Sequence, residues 1–139
     1  MKTVVVAGCF DLLHLGHLKL FSEARKHGDK LVVLLARDAN ICKTKARKPF
    51  FNEKERKALL EALEVVDEVV PGALKDRYSK LKAIKPDVFV LGYDQDNVAA
   101  ELKEFFKHNK LRVKIVRLKK GVNVAKYKST RIREHLKIR

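Results

Sequence analysis

The chain has 139 residues and carries 32 Lys plus Arg against 17 Asp plus Glu, a formal net charge of +15 at pH 7. That length fits one domain, leaves no room for a second full one, and suffices for a buried core without disulfide staples. With 46% hydrophobic and 35% charged residues it is not a disordered polar chain, and no apolar run nears the ~20 residues of a membrane span.

Residues 3–7 (Thr-Val-Val-Val-Ala) form an apolar, mostly β-branched run stopped by Gly8, as expected of a strand buried on both faces. A single positive charge precedes it, which argues against a signal peptide. Residues 16–27 place Leu18, Leu20, Phe21 and Ala24 at helical spacing, and His27-Gly28-Asp29 ends that helix. Residues 31–36 read as a second buried strand. Residues 37–51 are polar and basic without a period and read as a long loop. Asn52 is an N-cap candidate with Glu53 and Glu55 in the first turn, and Leu59, Leu60 and Leu63 continue the helix.

Residues 65–70 predict a short strand closed by Pro71-Gly72. A helix over 74–84 stops at Lys85-Pro86, and a strand over 87–91 ends at Gly92. Residues 98–108 form a helix with Leu102, Phe105 and Phe106 on one face. Residues 111–118 alternate Val113 and Ile115 with charges, which suits an edge strand. A loop over 121–128 follows, and Ser129 opens a last helix. Strand–helix alternation of this kind makes an α/β protein with a parallel sheet covered on both faces. Ligands of such sheets gather beyond the C-terminal strand ends, which singles out the loops at 8–17, 38–51, 92–97 and 119–130.

Cys9 and Cys42 lie far apart with no CxxC, so neither a disulfide framework nor a structural zinc site is indicated, and the expected compartment is the cytoplasm. The charge is uneven. Residues 107–139 hold 13 Lys/Arg and one acid, Glu134, for a net +12, whereas residues 1–106 carry only +3. Such a field attracts nucleotides, phosphorylated metabolites, nucleic acid or an acidic surface, and composition alone does not choose among them.

The loop Gly8-Cys9-Phe10-Asp11-Leu12-Leu13-His14-Leu15-Gly16-His17 carries the chemistry. Gly8 follows a strand directly, where backbone amides could approach a phosphate. His14 and His17, three apart at a helix start, share a helix face. Free amides and the helix dipole already favour an anion there, and two imidazole N–H donors would add to that grip. Spacing alone leaves phosphate chemistry, plain helix capping and a metal pair open, although a metal needs a third ligand and none is apparent.

The ten-residue segment resembles the G-T-F-D-x-x-H-x-G-H signature of the cytidylyltransferase-like nucleotidyltransferases, with Cys9 at the Thr position. Lys128-Ser129-Thr130-Arg131-Ile132 is similar to the family's S-S/T-T-x-I element, with Lys128 at the first hydroxyl position. Within the family the pattern of Ala36-Arg37-Asp38, residues 43–49, Arg56, Glu61-Ala62-Leu63, Val66-Asp67 and Leu91-Gly92-Tyr93-Asp94-Gln95 most resembles the archaeal FAD synthases. Glu64 stands near where the glycerol-3-phosphate cytidylyltransferases carry an arginine.

The resemblance implies a Rossmann-like parallel five-stranded sheet flanked by helices, over one nucleotidyltransferase domain spanning 1–139. It implies attack by an acceptor phosphate on the α-phosphorus of ATP (or CTP), with pyrophosphate leaving. The implied acceptor is FMN; the alternative is CTP-dependent transfer to glycerol 3-phosphate or another small phosphorylated alcohol. Magnesium or another divalent cation is expected with the triphosphate, its protein ligands are not readable, and family members are commonly homodimers.

His14 and His17 are implied to contact the triphosphate and transition state, with backbone amides from Gly8, Cys9 and Phe10. Asp11 would orient the loop or a metal-bound water. Lys43, ahead of Lys45 and Arg47, and Arg56 would reach the phosphates. Gly92, Asp94 and Gln95 would face ribose or base, Ser129 and Thr130 the β/γ oxygens, and Arg117 and Lys119 the nucleotide. Plainer roles stand beside these: Lys43 on a solvated loop, Asp94, Ser129 and Thr130 as helix caps. A nucleic-acid module is disfavoured, because Tyr127 is the only aromatic after Phe106 and the histidine motif would go unexplained.

Overall fold

The computed structural model describes residues 1–45, 47–76, 78–92 and 96–118, without the side chains of residues 44, 45, 96 and 97. The elements in chain order are β1 (Thr3–Gly8), α1 (Leu15–Arg25), β2 (Lys30–Leu35), α2 (Asp38–Lys45), α3 (Glu53–Glu61), β3 (Glu68–Pro71), α4 (Leu81–Ile84), β4 (Val88–Leu91), α5 (Asp96–His108) and β5 (Lys114–Arg117). The expected loop at 121–128 and the helix from Ser129 lie outside the described residues.

Apolar residues on both sides of each central strand dictate a sheet sandwiched between two helix layers. Val4, Val6, Leu31, Val33, Leu35, Val88 and Val90 face Phe21 and Ala24 of α1 and Leu60 of α3. Val5, Val32, Leu34, Phe89 and Leu91 face Leu81 of α4 and Leu102 and Phe106 of α5. The period-2 alternation of a pleated strand divides each run between the two cores, which is why β1, β2 and β4 read as unbroken apolar sequence.

All strands are parallel and the order is β3-β2-β1-β4-β5. The chain builds outward from β1 through β2 to β3, then crosses back to lay β4 and β5 on the other side. The switch point therefore falls between β1 and β4, whose carboxyl ends run into Gly8 and Gly92. An open parallel sheet leaves its ligand crevice at such a point. This is the α/β architecture expected, with β5 at an edge.

Two stretches differ from expectation. Residues 38–45 form a helix where a loop was expected. Ile41 is the buried apolar residue of α2, so its sequence shows no stripe. The helix is held at its start instead: the Asp38 amide donates to Glu53 Oε2 at 3.1 Å and the Glu53 amide to Asp38 Oδ2 at 3.0 Å. Conversely, the helix expected over 74–84 is confined to Leu81–Ile84. Leu74, counted as apolar spacing, is exposed, and the chain before Leu81 turns through i→i+3 bonds from Ser79 to Asp76 and from Leu81 to Tyr78. β3 and β5 are shorter than their apolar runs because each pairs over four residues only.

Candidate active site

Beyond β1 the backbone passes twice through the left-handed region, at Phe10 (φ 48°) and Leu12 (φ 52°), on either side of Asp11. Neither residue is glycine, so each costs on the order of 1 kcal/mol or more and must be held by its surroundings. Three contacts hold it. The buried Phe10 ring lies 5.1 Å from Phe21 and meets His17 edge-on at 5.4 Å. Asp11, 7% exposed, accepts the Phe50 amide at 2.7 Å on Oδ2 and the Phe51 amide at 3.0 Å on Oδ1. Arg56 Nη1 donates to the Cys9 carbonyl at 2.7 Å. Gly8 suits the same packing: a Cβ there would stand 3.0 Å from the Phe10 ring, a tight contact that the ring would have to relieve.

His14 is the N-cap of α1, with extended backbone (φ −143°, ψ 176°). Its Nδ1 accepts the Gly16 amide at 3.0 Å, and His17 Nδ1 accepts the His14 amide at 3.3 Å. This is the reciprocal capping box usually built from Ser/Thr and Glu, here made of two imidazoles. The rings stack, centroids 3.8 Å apart at 29°. With both Nδ1 atoms accepting, the neutral tautomer of each ring carries its proton on Nε2. Burial lowers the His14 pKa below the ordinary histidine value, because the charged ring loses water.

Arg56 enters from α3 with no exposed surface. Besides the Cys9 carbonyl it donates from Nε to the Phe51 carbonyl at 3.1 Å and pairs through Nη2 with Asp38 Oδ1 at 2.6 Å. In this arrangement the guanidinium is a strut under the loop and does not face solvent. Glu53 completes the network by accepting Arg37 Nε at 2.9 Å. The sequence assigns Glu53 only to the first turn of α3 and gives no role to the Asp38 side chain or to Phe51. The first two lie within segments already singled out, but their mutual contact spans 15 residues and only the fold reveals it.

Lys43 is exposed on α2, behind the C-terminal end of β2. Gly92 follows β4, and Arg117, exposed, ends β5 in register with Leu91. The fold thus brings Gly8, Cys9, Phe10, Asp11, His14, His17, Arg56, Gly92 and Arg117 to one edge of the sheet. Lys45 has no described side chain, and Asp94, Gln95, Lys119, Ser129 and Thr130 lie outside the described residues. No group of three or more His, Cys, Asp or Glu able to hold a metal occurs among the described residues. The carboxylates here are committed elsewhere: Asp11 to two amides, Asp38 to Arg56 and Glu53, Glu53 to Arg37. The described donors therefore do not fit a protein metal cage. No helix among the described residues is long and apolar enough to cross a membrane.

A parallel sheet that opens at its switch point onto a histidine-capped helix start is the frame of a nucleotidyltransferase, an enzyme that positions phosphates and stabilises charge. The chain belongs to the cytidylyltransferase-like family, whose model matches residues 5–135. A protein of Aciduliprofundum boonei named FAD synthase is 43% identical over 120 residues, 86% of this chain and 80% of that protein. A Ferroglobus placidus protein of the same name is 41% identical over 119 residues, 86% of this chain and 77% of that one. Among solved structures, a Thermoplasma volcanium protein described as acting in lipopolysaccharide core biosynthesis is 39% identical with a TM-score of 0.81, over 88% of this chain and 99% of that one.

Proposed function

We infer that this enzyme transfers the AMP moiety of ATP to FMN, giving FAD and pyrophosphate. The histidine capping box at the switch point is the observation that carries the reaction class. The identity of 43% and 41% to two FAD synthases over most of the chain supports the acceptor. An FMN phosphate oxygen attacks the α-phosphorus, the new P–O–P bond forms, and the bond to the β-phosphate oxygen breaks with both electrons leaving on pyrophosphate. The attacking phosphate is already ionised at neutral pH, so positioning and charge stabilisation supply most of the catalysis.

In this reading His14 and His17 offer Nε2–H donors to triphosphate oxygens and to the charge gained in the transition state. The α1 amides and those of Cys9 and Phe10 line the same pocket. Lys43 and Arg117 add positive potential at its rim, and Gly92, Asp94, Gln95, Ser129 and Thr130 complete the nucleotide contacts. Arg56 and Asp11 are positioning residues that act through the Cys9 carbonyl and the Phe50 and Phe51 amides. A divalent cation such as magnesium would arrive on the triphosphate, which supplies most of its ligands. The whole chain 1–139 serves as one catalytic unit in the cytoplasm, and pairing into a homodimer is compatible with it.

The test is to incubate the protein with magnesium and either FMN plus ATP or glycerol 3-phosphate plus CTP, following pyrophosphate and FAD. FAD from the first pair is expected. Pyrophosphate from the CTP pair alone would falsify the flavin assignment.

A further inference from the structure

Phe50 leaves 52% of its surface open on a backbone that is firmly held. Its amide and that of Phe51 are both donated to Asp11, and the Phe51 ring meets it edge-on with centroids 4.9 Å apart at 82°. Pro49 restricts the chain just ahead of it. Among the described residues the exposed large hydrophobics are Met1, Leu15, Leu18, Phe50, Leu59 and Leu74, and Phe50 is the aromatic one. Leu15 and Leu18 directly follow His14 and His17, so apolar surface is left open on the active-site helix as well.

Asp11, which pins Phe50, is three residues before His14 in the same loop. The exposed ring is therefore anchored to the loop that carries the histidines, as a rigid apolar plane where a loosely held side chain would fold down. That placement separates the two acceptors. Glycerol 3-phosphate has no flat apolar surface to cover a phenyl ring. FMN has one, its isoalloxazine, and planar heterocycles are held on aromatic rings through offset stacking with little demand for hydrogen bonds.

Resting on the FMN reading above, we propose that Phe50 is the platform on which the isoalloxazine ring stacks, and that it sets acceptor specificity. The experiment measures FAD formation by wild type, Phe50→Ala and Phe50→Trp. In Phe50→Ala the KM for FMN should rise about 10-fold, within the range lost with one stacking partner, while the KM for ATP and the thermal midpoint stay unchanged. Phe50→Trp should keep the KM for FMN within about 3-fold and quench flavin fluorescence on binding, because a stacked indole quenches flavin emission efficiently. An unchanged KM for FMN in Phe50→Ala overturns the proposal, and if the same variant loses a dimer seen in the wild type by size-exclusion chromatography, the ring belongs to a protein interface. Failure of the wild type itself to form FAD removes the acceptor reading and this proposal with it, and shows in the unmodified protein before any variant is made.

Discussion

The starts of α1 and α3 are built to the same plan with different atoms. Each is closed by a reciprocal capping box: Asn52 and Glu55 at α3, with bonds of 2.9 and 3.0 Å, and His14 and His17 at α1, with bonds of 3.0 and 3.3 Å. The α3 start uses the residues best suited to capping and places Glu53 and Glu55 in its first turn. Those carboxylates complement the helix dipole and repel any other anion. The α1 start has no acid in its first turn. Its imidazoles cap through Nδ1, which places the proton of each neutral ring on Nε2. A helix start that serves only the fold fills its positive end with its own carboxylates, whereas one that must receive a phosphate leaves that end uncharged and lines it with donors.

The most severe way to break the contrast is to convert one start into the other. The double change His14→Ser and His17→Glu builds an ordinary capping box on α1. Folding stability should stay within about 1 kcal/mol, because the box remains. Turnover should fall by about 10³-fold or more, about 4 kcal/mol, since two donors are replaced by a carboxylate facing the phosphates. Activity within tenfold of wild type would refute the assignment of this helix start to the triphosphate.

Arg56 ties the two starts together, running from α3 to the loop ahead of α1. Arg56→Ala leaves the Cys9 and Phe51 carbonyls and Asp38 without their donor. The expected loss of stability is about 3 kcal/mol, below the extreme for a buried pair because Asp38 is partly open to water and can rehydrate. Urea titration measures it, and a loss under about 1 kcal/mol would show that the strut is dispensable.

Legibility in the sequence follows the same division. β1, β2 and β4 are readable because both faces of each are buried, and α3 because Asn52 and its two acids announce its start. α2 is hidden because one residue, Ile41, anchors it while its stability comes from an exchange of bonds with Glu53. The histidine motif is visible as a local pattern. Which atoms Asp11 and Arg56 meet is not, since the Asp11 partners lie 39 and 40 residues away and those of Arg56 range from 5 to 47, and a side chain's type does not say which atoms it will meet. Read locally, Asp11 is a candidate to orient the loop or a metal-bound water and Arg56 a surface or phosphate arginine; the fold adds the atoms on which each bears, the Phe50 and Phe51 amides for Asp11 and the Cys9 carbonyl for Arg56.

Single changes sharpen the comparison at lower amplitude. His17→Ala should cut turnover by about 10²-fold, about 2.7 kcal/mol, as expected for one lost transition-state donor, with only a small effect on unfolding. Asn52→Ala should do the reverse: about 1 kcal/mol of stability is lost with the cap, while turnover stays within about 3-fold. Matched kinetics and melting curves on the two variants test this directly, and equal effects on turnover would erase the distinction between a structural and a catalytic cap.

The smallest expected effect lies in pH. His14 is desolvated, so its folded pKa lies below the unfolded histidine value of about 6.5. The folded protein therefore binds fewer protons at this site than the unfolded chain, and stability rises with pH through the window. The contribution of neutral His14 is complete above about 6.5 and fades as pH falls from there toward the lower folded pKa. Protonation also places a proton on Nδ1, which now accepts the Gly16 amide, so the cap and the ring orientation are lost together. The acid limb of kcat/KM should accordingly begin below about 6.5, and the NMR titration of the His14 ring should follow it. A midpoint above 6.5 would mean that the ring is held as a cation, and the capping-box tautomer that leaves Nε2–H for the substrate would be wrong.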